Sequence, residues 1–319
     1  MSKRLLLALL VLSIAPLARA QTTVGLITKT DTNPFFVKMK QGAEAAAKKV
    51  GAKLMSAAGK FDGDNAGQVT AIENMVIAGA KAILITPSDT KAIVPAIAKA
   101  RAAGVMVIAL DTPTDPQSAT DALFATDNFK AGVLIGQYAK AAMAGKPARI
   151  ATLDLAPGIT VGQLRHDGFL QGFGIKEGDP AIVCSADTRG DRAKGQTAME
   201  NCLQKSPDIN VVYTINEPAA AGAFQALKAA GKAKGVLIVS VDGGCPGVKA
   251  IQEGTLAATS QQYPLKMAEM GVEAGVEYAK TGKKASGYVD TGVTLITDQP
   301  KSGVESKDSK FGLASCWGG

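Results

Sequence analysis

Short runs of Val, Ile, Leu and Ala alternate with longer Ala-rich stretches along almost the whole chain. Val24–Ile27, Lys53–Ser56, Ala82–Thr86 and Val105–Leu110 read as strands. Between them Pro34–Val50, Asn65–Ala78 and Ile93–Ala103 repeat with helical spacing, and Pro34 suits a first helical turn. The order β-α-β-α-β-α-β predicts a parallel sheet with helices on both faces. The pattern then restarts. Helix Asn128–Met143 leads to predicted strands Arg149–Leu153, Ile182–Ser185, Val211–Thr214, Leu237–Val241 and Ala257–Ser260. Helices over Gly162–Phe173, Arg192–Lys205 and Pro218–Ala230 alternate with them. A helix over Pro264–Thr281 then precedes a strand near Tyr288–Val293, and the Ser/Lys/Asp-rich segment 301–310 reads as irregular. The expected architecture is α/β, with two doubly wound parallel-sheet lobes rather than one sheet.

The first 20 residues stand outside this pattern. Lys3 and Arg4 precede the apolar run Leu5–Ile14, and Ala18-Arg19-Ala20 forms a small-residue cleavage site. This is the layout of a signal peptide, and the run is too short to span a bilayer. The mature chain is expected to begin at Gln21, outside the reducing cytoplasm. Loss of three basic residues with the leader reduces the formal charge from +7 to +4. With no basic run in the mature body, nucleic acid is not an expected partner. Cys184, Cys202, Cys245 and Cys316 form an even set that allows three pairings, and the sequence alone does not choose among them. The favoured pairing joins Cys184 to Cys202, a strand to the next helix, and Cys245 to Cys316, pinning the tail; four free thiols are the alternative. The cysteines lack zinc-ligand spacing and the chain has one His, so no metal is expected.

In open parallel sheets ligands sit beyond the C-terminal strand ends. The polar residues there are Lys29, Asn33, Asp111, Asp127, Asn128, Asn216, Asp242 and Gln262. Asn33 both donates and accepts, and Phe35 and Phe36 beside it offer flat apolar faces; a helix cap and two core rings would explain the same residues. Asp111 and Asp242 end strands in matching positions of the two lobes and suit either a diol or an acid/base pair. No nucleophile motif, His partner or metal cluster accompanies them. His166, the single His, fits a surface or cap role better than ligand contact. Asp62-Gly63-Asp64-Asn65-Ala66-Gly67 breaks the calcium-loop pattern at Ala66, and a turn with a helix N-cap accounts for it. Gly243-Gly244-Cys245-Pro246-Gly247 is neither a P-loop nor G-x-G-x-x-G, so no nucleotide cofactor is expected.

Five segments together resemble the ribose/galactose-type periplasmic binding proteins of ABC sugar importers: Thr32–Phe36, Val107–Asp111, Ala125–Asn128, Arg165–Phe169 and Leu256–Gln262. The resemblance runs from about Thr23 to Thr297. It implies two similar lobes joined by a three-stranded hinge, the type I periplasmic binding fold, with a sugar in the cleft and no covalent chemistry. The lobes would be 21–126 with 263–290, and 127–262 with 291–319. Asn33, Phe35, Phe36, Asp111, Arg165, Asn216, Asp242 and Gln262 match ribose contacts in type and context. Arg165 would be the second lobe's cationic donor. Thr112 replaces an Arg, Lys29 a Ser and Val241 a Phe, and an aromatic is missing near Gly190. The segments 26–33, 111–116, 215–219 and 239–247 look more like the fructose-binding branch, which implies D-fructose, with Lys29 as the first lobe's donor and Glu217 as an acceptor. The implied partners are a monosaccharide and an inner-membrane permease, for a monomer in the periplasm. A chemoreceptor or sensor-kinase role, a secreted enzyme and a gene regulator are the rivals, the last disfavoured by the leader.

Overall fold

The structure, a computed structural model, describes residues 21–318; the expected leader, residues 1–20, lies outside the described residues. The first lobe begins with β1 (Thr23–Thr28), α1 (Pro34–Val50), β2 (Lys53–Ala58), α2 (Asn65–Ile77), β3 (Ala82–Ile85), α3 (Val94–Ala102), β4 (Met106–Leu110) and β5 (Ala122–Ala125). The chain then crosses over and builds α4 (Asn128–Met143), β6 (Ile150–Asp154), α5 (Thr160–Phe173), β7 (Ile182–Asp187) and α6 (Arg192–Lys205). β8 (Val211–Thr214), α7 (Glu217–Ala229), β9 (Leu237–Asp242), α8 (Cys245–Gln252) and β10 (Ala258–Gln261) continue this second lobe. A second crossing returns the chain through α9 (Pro264–Thr281) to β11 (Gly287–Asp290), and a third leads to β12 (Thr294–Ile296) and α10 (Ser309–Ser315).

The two sheets have matching orders, β11-β5-β4-β3-β1-β2 and β12-β10-β9-β8-β6-β7. β12 runs antiparallel to β10, and the other pairings are parallel. Inner strands such as β3, β4 and β8 are buried at every position, because helices cover both faces. That burial explains why they read as continuous apolar runs. α1 starts where the Asn33 side chain accepts from the Phe35 amide at 3.0 Å, and it stops at Gly51, φ 69°.

Two expectations need correction. The strand near Tyr288–Val293 ends at Asp290: β11 joins the first sheet, the chain turns at Gly292, φ 99°, and a separate strand, β12, begins at Thr294 in the second sheet. The tail is not wholly irregular. Lys307 pairs with Ile296, and Asp308 caps α10 by accepting from the Phe311 amide at 2.8 Å. β5, only four residues long, had no counterpart in the periodicity. The cysteines are joined as Cys184–Cys202, Cα atoms 5.6 Å apart, and Cys245–Cys316, 4.9 Å apart.

α4 and α5 approach closely because small residues line their crossing. A Cβ on Gly132 would strike the Arg165 carbonyl, and one on Gly168 would strike that of Phe129. This contact fixes the height at which Arg165 leaves α5.

Candidate functional site

The strand ends of both sheets face one another across the interlobe cleft. Asp111 follows β4 and Asp242 ends β9, and both backbones have positive φ, 61° and 147°. Such conformations are uncommon for non-glycine residues and recur where a fold over-determines a functional group. Asp111 is buried, and its Oδ2 accepts from Thr112 Oγ1 at 2.9 Å. Its Oδ1 faces Arg165 Nη2 at 3.4 Å, an ion pair that spans the two lobes. Arg165 also donates from Nε to Asn128 Oδ1 at 2.8 Å and from Nη1 to the Ile215 carbonyl at 3.0 Å. Arg165 is 5% exposed and its fork is held from three directions.

Asp242 forms the second cluster. Its Oδ1 accepts from Gln262 Nε2 at 2.8 Å and its Oδ2 from the Glu217 amide at 3.3 Å. Burial raises the Asp242 carboxyl above its ordinary value, while Arg165 and Gln262 oppose that rise. Gln262 Oε1 is buried without a hydrogen-bond partner. Lys29 is also buried, with Nζ 4.0 Å from Asp62 Oδ2. Burial likewise raises the Asp62 carboxyl, against the Lys29 charge, and Asp62 Oδ1 has no partner. A cavity of about 750 Å³ opens here, with Asn33, Phe36, Asp62, Arg189, Asp242 and Trp317 among its walls. That size suits a small-molecule site. The lobes also touch directly. Thr160 Oγ1 donates to the Pro113 carbonyl at 2.6 Å, Thr90 Oγ1 to that of Gly158 at 2.9 Å, and Arg189 lies 5.5 Å from the Phe61 ring centre.

Several sequence-predicted residues have other employment. Asp127 caps α4, accepting from the Lys130 amide at 2.9 Å, and lies by Tyr288 in a second, smaller pocket that Asp111 and Asn128 also line. Asn128 spends its side chain on Arg165 and on the Asp111 and Thr126 carbonyls, so it positions charges rather than facing the cavity. Asn216 caps α7 by accepting from the Ala219 amide and donates to the Gly190 carbonyl. Phe35 packs edge-on against Trp317, ring centres 5.4 Å apart, leaving Phe36 as the ring on the cavity wall. Glu217 is not a free acceptor. Its Oε1 takes hydrogen bonds from the Gly243 amide and Thr259 Oγ1, and its Oε2 from the Gly244 amide. It braces the turn that follows Asp242.

Asp62, Arg189 and Trp317 were not anticipated as site residues. Asp62 and Arg189 obey the same strand-end rule, following β2 and β7; only Trp317 lies at no strand end. Asp64 caps α2 by accepting from the Gly67 amide, and no metal-holding cluster of three acidic, His or Cys residues occurs among the described residues.

His166 stays outside the cleft network. Its Nδ1 lies 3.0 Å from Asp154 Oδ1 and its Nε2 2.9 Å from Glu177 Oε2. The Asp154 hydrogen bond, helped by both carboxylate charges and opposed by burial, raises its pKa from 6.5 to about 9. The folded value is the higher one, so the stabilisation is complete below pH 6.5 and disappears as pH rises through about 9. Because Glu177 is largely exposed, about 1–2 kcal/mol is expected rather than the full shift. Urea unfolding of wild type and His166→Gln should therefore differ near pH 6 and converge above about pH 9.5. An unchanged difference at the higher pH would refute the assignment.

The chain matches known proteins over the same span as these two lobes. A family model described as a periplasmic binding protein domain covers residues 24–284. The ribose import binding protein of Bacillus subtilis is 33% identical over 281 residues, 88% of this chain and 89% of that one. A galactofuranose binding protein superposes with TM-score 0.81 at 27% identity, covering 92% of this chain and 97% of its own. A periplasmic solute binding protein of an ABC transporter from Actinobacillus succinogenes, solved with bound D-allose, gives 0.78 at 28% identity, covering 87% and 98%. With the family model spanning both sheets and a relative at this identity over most of its length, the chain belongs to the periplasmic binding protein family.

Proposed function

We propose that this protein is the periplasmic sugar-receiving subunit of an ABC importer. A monosaccharide enters the cleft, the lobes close on it, and the permease reads the closed form. Closure is then a population shift limited by the ligand's preference for the closed state. The observation that carries this reading is the buried Arg165–Asp111 pair, which draws one charge from each lobe into the cleft. Charge placement argues against an anionic ligand. Lys29 faces Asp62 and Arg165 faces Asp111, so an anion would meet the buried Asp242 carboxyl and that of Glu217 on the cavity wall with both cations already engaged. Hydroxyls instead suit the unpartnered oxygens of Asp62 and Gln262. The names and ligands of the relatives, ribose, galactofuranose and D-allose, lie in the same chemical class.

The finer assignment is D-fructose. It is supported by the resemblance of the segments around Lys29, Thr112, Asn216 and Asp242 to fructose binders. Lys29 places a buried cation at the end of β1, and Thr112 uses its hydroxyl on Asp111. Calorimetry against D-fructose, D-ribose, D-allose, D-glucose and fructose 6-phosphate tests both levels. D-fructose should bind tightest, and the phosphate should give no heat. Lys29→Met should weaken fructose binding by about 10- to 100-fold, because a buried carboxylate loses its cation. Tight ribose binding without fructose heat would overturn the fructose assignment. Heat from none of the sugars would overturn the sugar-binding reading.

A further inference from the structure

Trp317 is the single tryptophan of the chain. It comes two residues after α10, yet it is 5% exposed and belongs to the first lobe's hydrophobic core, edge-on to Phe35. Its attachments are to the other lobe and to the second crossing. The Trp317 carbonyl accepts from the Cys245 amide at 2.7 Å, and its neighbour Cys316 is bonded to Cys245. Its indole Nε1 donates to the Gln262 carbonyl at 2.8 Å, and the Gln262 side chain holds Asp242. The ring lies on the wall of the cavity, as Phe36 and Asp242 do.

A sugar ring presents a polar rim and an apolar C–H face, and the second needs a flat apolar partner. From the first lobe Phe36 and Phe61 offer such faces. The second-lobe strand ends offer none: β9 ends in Val241-Asp242, β8 leads into Ile215-Asn216, and β7 leads into Arg189-Gly190, while the second lobe's aromatic on the cavity wall, Phe224, lies within α7. The C-terminal tail brings a ring against Gly244, in the turn that follows Asp242. We propose that Trp317 is the second aromatic wall of the sugar pocket, and that the Cys245–Cys316 bond holds it there. The proposal rests on the monosaccharide-binding reading above. It gives the tail a role in recognition: the two cysteines are 71 positions apart in the chain, and their bond fastens the ring beside the turn that follows Asp242.

Because Trp317 has no other tryptophan to mask it, its emission reports directly on the site. The full mature chain is titrated with D-fructose, or with whichever monosaccharide gives the largest heat, and followed by emission and calorimetry in parallel. Emission should change and saturate with the calorimetric Kd. Trp317→Ala should weaken binding by about 10- to 100-fold and Trp317→Phe by about threefold or less, since a ring is retained. Cys245→Ser with Cys316→Ser should fall between these and give a smaller emission change. Flat emission through calorimetric saturation would overturn the proposal, as would Trp317→Ala binding like wild type. Should the alanine variant fail to fold, the emission titration and the phenylalanine variant still decide. Absence of heat from any sugar with the wild type instead removes the monosaccharide reading itself.

Discussion

Arg165→Ala is expected to abolish sugar binding, with an affinity loss above about 100-fold, and to destabilise the fold by about 3–5 kcal/mol. The size follows from how much depends on one guanidinium. Its removal leaves the Asp111 carboxylate buried without its cation, and strips the donors from Asn128 Oδ1 and the Ile215 carbonyl. The pair also links the lobes, so the closed form loses a contact that the open form does not need. Arg165→Lys should recover little, because one ammonium cannot serve three acceptors set around a planar fork. Calorimetry gives the affinity, and circular dichroism with thermal melting separates loss of the site from loss of the fold. Arg165→Lys binding as tightly as wild type would show that the fork geometry is not what the ligand uses. A double-mutant cycle with Asp111→Asn should show strong coupling, since the two side chains share one interaction.

Much of the fold was legible because parallel strands buried on both faces leave an unmistakable apolar run. β3, β4 and β8 are of this kind, and α2, α6 and α7 beside β3 and β8 are capped by Asp64, Asp191 and Asn216. The failures share a cause. β5, β11 and β12 are four residues or fewer; β3 and β8 are as short, but each is set off by an α-helix on either side, whereas no α-helix separates β5 from β4 or β12 from β11. The break at Gly292 that sends β11 and β12 to different sheets depends on which neighbour each strand finds, and that is not local. The strand-end rule led to Asp111, Asp242, Lys29 and Gln262 for a topological reason. It applied equally to Asp62, but β2 is an edge strand with mixed burial, and the residues after it read as a turn. What strand-end position does not encode is the partner the folded backbone offers. Asn128, Asn216 and Glu217 are the right types in the right places, yet neighbouring backbone and side-chain groups claim them first. Trp317 is the opposite case. The cysteine beside it signals attachment, but only the folded tail says which surface the ring reaches.

Gly168→Val is expected to destabilise the protein by about 4 kcal/mol or more, lowering the melting temperature by about 10 °C, and to cost sugar binding as well. At the α4–α5 crossing the two backbones touch. Cβ positions built on Gly132, Gly136, Gly168 and Gly172 fall on the carbonyls of Arg165, Phe169, Phe129 and Val133, and a backbone cannot rotate aside as a side chain can. A branched side chain at Gly168 must push α5 away from α4. Arg165 rides on α5, whereas its partner Asn128 begins α4, so the same displacement opens the Arg165–Asn128 bond and withdraws the guanidinium from Asp111. Packing loss and loss of the site therefore arise from one movement. Lys130→Val, on the exposed face of α4, controls for the helix cost of a β-branched residue and should lower stability by less than about 1 kcal/mol. Thermal melting and calorimetry on both variants separate the effects. A Gly168→Val protein that melts with wild type would show that the helices can part without cost, and would remove the crossing as the support of Arg165.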